Sequence, residues 1–257
     1  MNIFTQSLKD SLTSIKQHKK LFTFIIILQL VFLITLSIVF VKYQVLMFQN
    51  LETITAGIQN IEVDESDLTG MLSGFSSVTG SYDALLGNVS SMIFWFFIIF
   101  LIGNGLLWSI VHVMVNKGKL LPYLTNFIII SLIVLLPTGF FLYKFFQDVL
   151  VNPDGVARLT AMMPYILLII AYILISLFTL LRTPLSKYPY SFFKTAILKY
   201  YYMIPAVLIS IGFISGIIYL AYLYAHTLPT LLLSLTLLIL SFSFSKIYLV
   251  HLVKRLQ

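Results

Sequence analysis

The sequence predicts an all-α integral membrane protein with six transmembrane helices. Of its 257 residues, 60% are hydrophobic and only 10% are charged, whereas about 25% of residues are charged in a soluble domain. Six apolar runs each approach the ~20 residues that cross ~30 Å of hydrocarbon. Basic and acidic residues also segregate between alternate connections. Because backbone groups in hydrocarbon must be satisfied within a segment, each run is predicted to be a helix.

The predicted spans follow one another along the whole chain. They are residues 21–41, 92–115, 124–143, 162–181, 203–224 and 229–245. The segments outside them are residues 1–20, the long connection 42–91, residues 182–202, and a tail at 246–257. The first run is too long for the apolar region of a signal peptide, and no small-x-small cleavage site follows it. It is therefore expected to remain as an anchor.

Lysine and arginine residues predict the orientation. Thirteen of the sixteen lie on one side of the six-span pattern: Lys9, Lys16, Lys19, Lys20, Lys117, Lys119, Arg182, Lys187, Lys194, Lys199, Lys246, Lys254 and Arg255. Among the nine acids, only Asp10 shares that side. The positive-inside rule places this side in the cytoplasm, which predicts a multi-pass cell-membrane protein with both termini inside. These charges are expected to meet anionic lipid headgroups and not nucleic acid.

Two segments on the basic side are predicted to lie along the membrane surface, since each has an apolar helix face beside lysines. In the 1–20 segment, which is predicted to be an amphipathic helix, the face consists of Phe4, Leu8, Leu12 and Ile15. In the 182–202 segment it consists of Tyr190, Phe193, Ile197 and Tyr201.

The long connection 42–91 has the periodicity of two helices. The outgoing seam is Met47, Leu51, Ile54, Ile58 and Ile61, and the returning seam is Leu68, Met71, Phe75, Val78, Tyr82, Leu85 and Val89. Spacings of three and four predict an extracytoplasmic antiparallel helical hairpin that extends helices 1 and 2. In this hairpin Ile58 faces Phe75, and Gly74 lies off the seam. The alternative is an irregular loop on the outer leaflet.

An acidic stretch separates the two predicted arms. Its acids are Glu62, Asp64, Glu65 and Asp67. They are expected to form a solvated turn and are the candidate surface for a protein partner. The stretch lacks the Asp-x-Asp-x-Asp-Gly pattern of a calcium loop, so no metal is predicted there.

The triplet Gly103-Asn104-Gly105 is the most unusual sequence inside a predicted span. An amide in hydrocarbon needs a hydrogen-bond partner, and Gln29 lies at a suitable depth in the first span. Flanking glycines let a second helix approach closely. The residues therefore predict an interhelical contact, with a substrate contact as the alternative. Gly212 and Gly216 form a second small-xxx-small step for helix packing.

The sequence contains no motif that indicates a catalytic, metal-binding or nucleotide-binding function. The chain has no cysteine, and no acid or base lies well inside any predicted span. The four histidines lack the spacing of a helical metal pair, and no nucleotide, dinucleotide or nucleophile motif occurs. No cofactor, metal or catalytic residue is therefore predicted. The expected function is a non-enzymatic scaffold, assembly or accessory component, and the alternative is a permease or channel subunit for a neutral or lipophilic solute.

Overall fold

The structure is a computed structural model that describes residues 3–63, 68–151, 153–224 and 227–257. It describes their side chains except at 60–63, 68–73, 146, 148–151, 153–160 and 228. These residues are helical, with short turns and no strand among them. Six of the helices are long and apolar enough to cross a membrane. The prediction of an all-α multi-pass membrane protein is confirmed at this level.

Eight α-helices make up the described part of the chain. They are α1 (Ile3–Gln17), α2 (Lys19–Val63), α3 (Leu68–Asn116), α4 (Leu120–Val151), α5 (Pro153–Phe178), α6 (Tyr188–Phe192), α7 (Tyr200–Tyr224) and α8 (Leu228–Leu256). A 3₁₀ turn (Leu185–Lys187) precedes α6, and a π-helical turn (Phe193–Ile197) follows it. The six candidate spans lie in α2, α3, α4, α5, α7 and α8.

The chain forms two compact units. Unit 1 comprises residues 1–32, 101–134 and 158–257, and unit 2 comprises residues 33–100 and 135–157. The core of unit 1 contains aromatic rings in tilted contact, with the Phe127 and Phe178 ring centroids 4.4 Å apart and those of Trp108 and Phe178 5.9 Å apart. Leu107 and Ile247 are fully buried there.

In unit 2, α2 and α3 contact each other at glycines. A Cβ atom added to Gly57 would lie 2.7 Å from Cγ2 of Val78 and 3.7 Å from the Gly74 carbonyl oxygen. Ile58 and Phe75 are 46% and 55% exposed, so the prediction that they face each other is wrong. Gly74 is buried, although the heptad reading put it off the seam. The two helices are therefore in close contact at Gly57, which has no side chain, while the adjacent Ile58 is exposed.

Helix α1 packs its small polar residues inward. Ser7 and Ser11 are fully buried, and their hydroxyls donate to the carbonyls one turn earlier, at 2.9 and 2.7 Å. Leu8 and Leu12 remain 41% and 48% exposed. Leu8 and Leu12 of the predicted apolar stripe are therefore exposed, while the serine face allows α1 to lie close against α8.

Candidate functional site

The side chain of Lys246 connects three helices of unit 1. Its ammonium donates a hydrogen bond to Oε1 of Gln29 on α2 at 2.8 Å and another to Oδ1 of Asn104 on α3 at 3.0 Å. Lys246 and Gln29 are 8% and 2% exposed. The structure thus brings Gln29 and Asn104 to one place, and it joins them through a cation instead of through a direct amide–amide bond.

Helix direction explains how Lys246 reaches this depth. Each Cα–Cβ bond tilts toward the N-terminus of its helix, so the Lys246 side chain extends back along α8, toward the interior of the sixth span. Gln29 lies eight residues beyond the predicted start of the first span at Leu21, or roughly 12 Å along a helix. The ammonium therefore lies in the apolar layer defined by the predicted spans.

Sequence analysis missed this residue. It placed Lys246 in a tail that begins after Ser245, and it held that no ionisable group lies well inside a span. In the structure, α8 continues without interruption to Leu256. The available signal was the apolar sequence that resumes after Lys246, since Ile247, Val250 and Leu252 are buried.

The glycines beside Asn104 meet two different helices. A Cβ atom at Gly103 would collide with the Phe32 ring of α2. A Cβ atom at Gly105 would lie 3.0 Å from Cδ1 of Phe127 on α4 and 3.1 Å from a methyl carbon of Leu124. A side chain at Gly103 would force its neighbour to move, and one at Gly105 would be tightly packed, so both glycines let other helices lie close to Asn104.

The second small-residue step has no such role among the described residues. A Cβ atom at Gly212 or at Gly216 would meet nothing within 4 Å. Neighbouring Phe213 is 57% exposed. The prediction that these two glycines form a helix-packing contact is therefore wrong for this arrangement of α7.

Chemically, the Lys246 cluster can hold one positive charge, or one proton, in a largely dehydrated place. Neither protein acceptor is a carboxylate, so the charge is balanced by amide dipoles alone. Removing an acceptor would leave a buried donor unsatisfied, at a cost of about 1–3 kcal/mol or more for a charged group. An ionisable residue within a membrane segment marks a functional site more often than an exposed one does.

A second polar network closes the C-terminal end of α5. The last carbonyls of a helix have no partner within it, and here the carbonyls of Leu177 and Phe178 each lie within hydrogen-bond distance of a side chain from another element. Nε2 of His112 lies 2.9 Å from the Phe178 carbonyl oxygen, and Tyr188 donates its hydroxyl to the Leu177 carbonyl at 2.6 Å. Asn126 donates to the Leu181 carbonyl at 3.0 Å just beyond the helix. Burial raises the pKa of the Tyr188 hydroxyl, which keeps this donor protonated.

Lysines cap two further helix ends. Lys254 donates to the Val115 carbonyl near the end of α3 at 3.1 Å. Lys199 donates to the Leu256 carbonyl at the end of α8. Cations at helix C-termini also interact favourably with the helix dipole. These bonds give several of the basic residues that set the predicted orientation a second, structural role.

Helix α1 is attached to α8 by polar contacts. Arg255 forms an ion pair with Asp10, with Nη2 and Oδ2 2.5 Å apart, and donates from Nη1 to Oε1 of Gln6 at 2.7 Å. The Ser14 hydroxyl lies 2.8 Å from Nε2 of His251. The single acid on the predicted cytoplasmic side is therefore used to hold the N-terminal helix.

Unit 1 also contains an apolar groove of about 660 Å³. It lies between α1, the start of α2, α7 and α8, and its lining includes Phe4, Phe22, Phe213, Leu240 and Tyr248. Its few polar groups are hydroxyls, such as those of Thr5 and Ser241. Such a lining suits a hydrocarbon chain and offers no charged group for catalysis.

The acidic candidate surface cannot be placed. Asp64, Glu65 and Asp67 lie outside the described residues, and only the backbone of Glu62 is described, in the last turn of α2. His226 and the side chains of Asp148 and Asp154 also lie outside them. Among the described side chains, no group of three or more His, Cys, Asp or Glu could hold a metal ion.

Comparison of the whole chain with protein-family models, with curated proteins and with solved structures finds no significant match.

Proposed function

We propose that the protein is a non-enzymatic scaffold or accessory component of the cell membrane, with both termini in the cytoplasm. The observation that carries this proposal is the length of α2 and α3, which have 45 and 49 residues. At about 1.5 Å per residue they extend roughly 67 and 73 Å, against ~30 Å of hydrocarbon. Their excess length forms the proposed extracytoplasmic hairpin.

Exposed apolar side chains on the two arms support a docking role. Among the described side chains of α2 and α3 outside the predicted spans, the large exposed apolar ones are Val45, Phe48, Leu51, Ile58 and Phe75. Covering such surface stabilises a complex by about 25 cal/mol per Å². The proposed partner is a membrane protein that presents a complementary apolar surface on the outer side. A loop lying on lipid is the competing explanation for the same exposure.

Site-specific photo-crosslinking in native membranes tests the scaffold role. A benzophenone amino acid at Phe48 or at Phe75 should give a discrete protein adduct, because these side chains are 58% and 55% exposed. The matched controls are Thr53 and Ser76, which are exposed polar residues on the same two helices, and they should give weaker adducts or none. Adducts to lipid alone at all four positions would contradict the scaffold role and favour a segment that lies on the leaflet.

A permease or channel subunit remains the second candidate, and Lys246 is the observation that favours it. The sequence argument against transport rested on the absence of intramembrane ionisable groups, and Lys246 removes part of that argument. Proteoliposomes that contain the protein should then swell faster in glycerol, a neutral probe, than empty liposomes. Lys246→Met should alter that rate. Equal swelling with and without the protein would remove glycerol-like solutes from consideration.

A further inference from the structure

A basic pocket lies between residues 182–195 and the C-terminal end of α8. Its volume is about 420 Å³. Three cationic residues line it, Arg182, Lys194 and Lys254, together with the hydroxyl residues Thr183, Ser191 and Thr195. None of the side chains that line the pocket is acidic. Three positive charges around one small cavity repel one another unless an anion lies between them.

The protein's own groups satisfy these cations only in part. Lys194 donates to the main-chain oxygen of Gln257 at 3.3 Å, and Lys254 donates to the Val115 carbonyl at 3.1 Å. An ammonium has three N–H donors, so each lysine keeps two for another ligand. The Arg182 guanidinium makes no hydrogen bond to the described part of the chain, although it is a planar fork suited to phosphate. Asp10 is already paired with Arg255 and does not line this pocket.

One wall of the pocket continues into an exposed aromatic and apolar face. Tyr190 lines the pocket and is 71% exposed, while Phe193 and Ile197 are 49% and 50% exposed. Exposed aromatic residues beside lysines suit the boundary between headgroups and hydrocarbon. A ligand with a phosphate in the pocket and acyl chains against this face would satisfy both surfaces, whereas a free phosphate would satisfy only the first.

We propose that this pocket binds the phosphate group of an anionic phospholipid. The Arg182 fork contacts two phosphate oxygens, Lys194 and Lys254 supply the remaining charge, and the Ser191 hydroxyl donates a further hydrogen bond. This site goes beyond the scaffold role, because it needs no protein partner and lies in unit 1, whereas the hairpin belongs to unit 2.

Native mass spectrometry of the full-length, delipidated protein tests the site. The probes are dioleoyl phosphatidylglycerol, phosphatidylcholine with the same chains, and inorganic phosphate. Phosphatidylglycerol should bind at least about tenfold more tightly than phosphatidylcholine, since only the former carries net charge. Arg182→Gln combined with Lys194→Gln should reduce this preference to about twofold or less. The matched control combines Lys9→Gln with Lys16→Gln, which removes the same charge from exposed positions of α1, and it should keep the preference.

Other results of this experiment would contradict the proposed lipid site. An unchanged preference in the pocket variant, or an equal loss in the control, would replace the site with general electrostatic attraction. Competition by millimolar inorganic phosphate would overturn the lipid assignment. If the double variant does not fold, Ser191→Asp places a carboxylate in the pocket and should abolish the preference in a folded protein. The lipid-binding measurement uses the purified protein without any protein partner. A negative result would therefore not contradict the scaffold role, which the crosslinking experiment tests separately.

Discussion

At the scale of single residues, Lys246 is the most demanding group in the membrane-spanning part. Moving an ammonium from water into a low-dielectric place is costly unless its donors are satisfied. Gln29 and Asn104 supply two acceptors from two helices. Both bonds form only when α2, α3 and α8 pack together. The three side chains therefore form one energetic unit.

A double-mutant cycle checks this coupling. Asn104→Leu should destabilise the protein in detergent by about 1–3 kcal/mol, because it leaves the buried ammonium with one acceptor fewer. The same change in a Lys246→Met background should cost at least about 0.5 kcal/mol less. Thr125→Val, at an exposed residue of α4, serves as the control and should be additive with Lys246→Met. Unfolding monitored by circular dichroism gives the free energies, and additivity at Asn104 would refute the coupling.

Glycine positions give a second check at this scale. Gly103→Ala should destabilise the protein, because its new methyl group collides with the Phe32 ring. Gly212→Ala should be neutral or stabilising, since its methyl group meets nothing within 4 Å and alanine is favoured over glycine in a helix by about 1 kcal/mol. Thermal unfolding of the two variants should therefore shift in different directions. Equal shifts would show that the contact at Gly103 is loose.

Part of the candidate site could be predicted from sequence. An amide between two glycines in hydrocarbon indicates a tight contact and a partner, and this logic identified Asn104 and Gln29. Lys246 escaped because a hydropathy span is ended at its first charge, while a lysine pointing back along its helix can lie in the apolar layer. Sequence periodicity also cannot distinguish Gly103 from Gly212, because the difference depends on which neighbour lies opposite.

At the scale of elements, the arms of α2 and α3 show what sets helix register. The heptad seam was counted from the large apolar residues, which is valid when side chains fill the gap between helices. Here the gap closes at Gly57, where Val78 would lie 2.7 Å from an added Cβ. Val78, Leu85 and Val89 of the counted seam remain at or near the contact, whereas Ile58 and Phe75 are exposed.

The contact at Gly57 predicts which substitutions the two arms tolerate. Ile58→Asp should change stability by about 0.5 kcal/mol or less, as expected of a surface position, and Gly57→Leu should separate the arms. Gly80→Leu is the matched control, since Gly80 has nothing within 4 Å of its added Cβ. Hydrogen exchange of residues 45–59 should accelerate in Gly57→Leu alone. Faster exchange in Ile58→Asp would restore the seam that the heptad predicts.

At the scale of the whole molecule, charge distribution and helix length argue for the same architecture. Apolar runs of the right length could be found from sequence because the bilayer imposes one dimension on every span. The bounds of the helices could not, since hydrogen bonding continues past the hydrocarbon. Helix α8, for example, continues to Leu256, well beyond the span predicted to end at Ser245.

Cysteine labelling tests the proposed orientation, and the native chain has no cysteine to interfere. An impermeant maleimide applied to intact cells should label a cysteine placed at Ser66 or at Asp154. It should label one at Lys187 only after the membrane is permeabilised, because the basic side is proposed to face the cytoplasm. Labelling at Lys187 in intact cells would reverse the orientation of every span.

The position of Lys246 along the chain also constrains the order of biosynthesis. Its acceptors precede it by 217 and 142 residues, so the ribosome has made α2 and α3 long before α8 emerges. A lysine at the centre of an isolated membrane helix opposes insertion by about 2.5–3.5 kcal/mol, and one near the end of a span, as Lys246 is, opposes it less. We therefore expect α8 to enter the bilayer after α2 and α3, which carry the two amide acceptors of Lys246, so that the lysine meets its hydrogen-bond partners as it inserts.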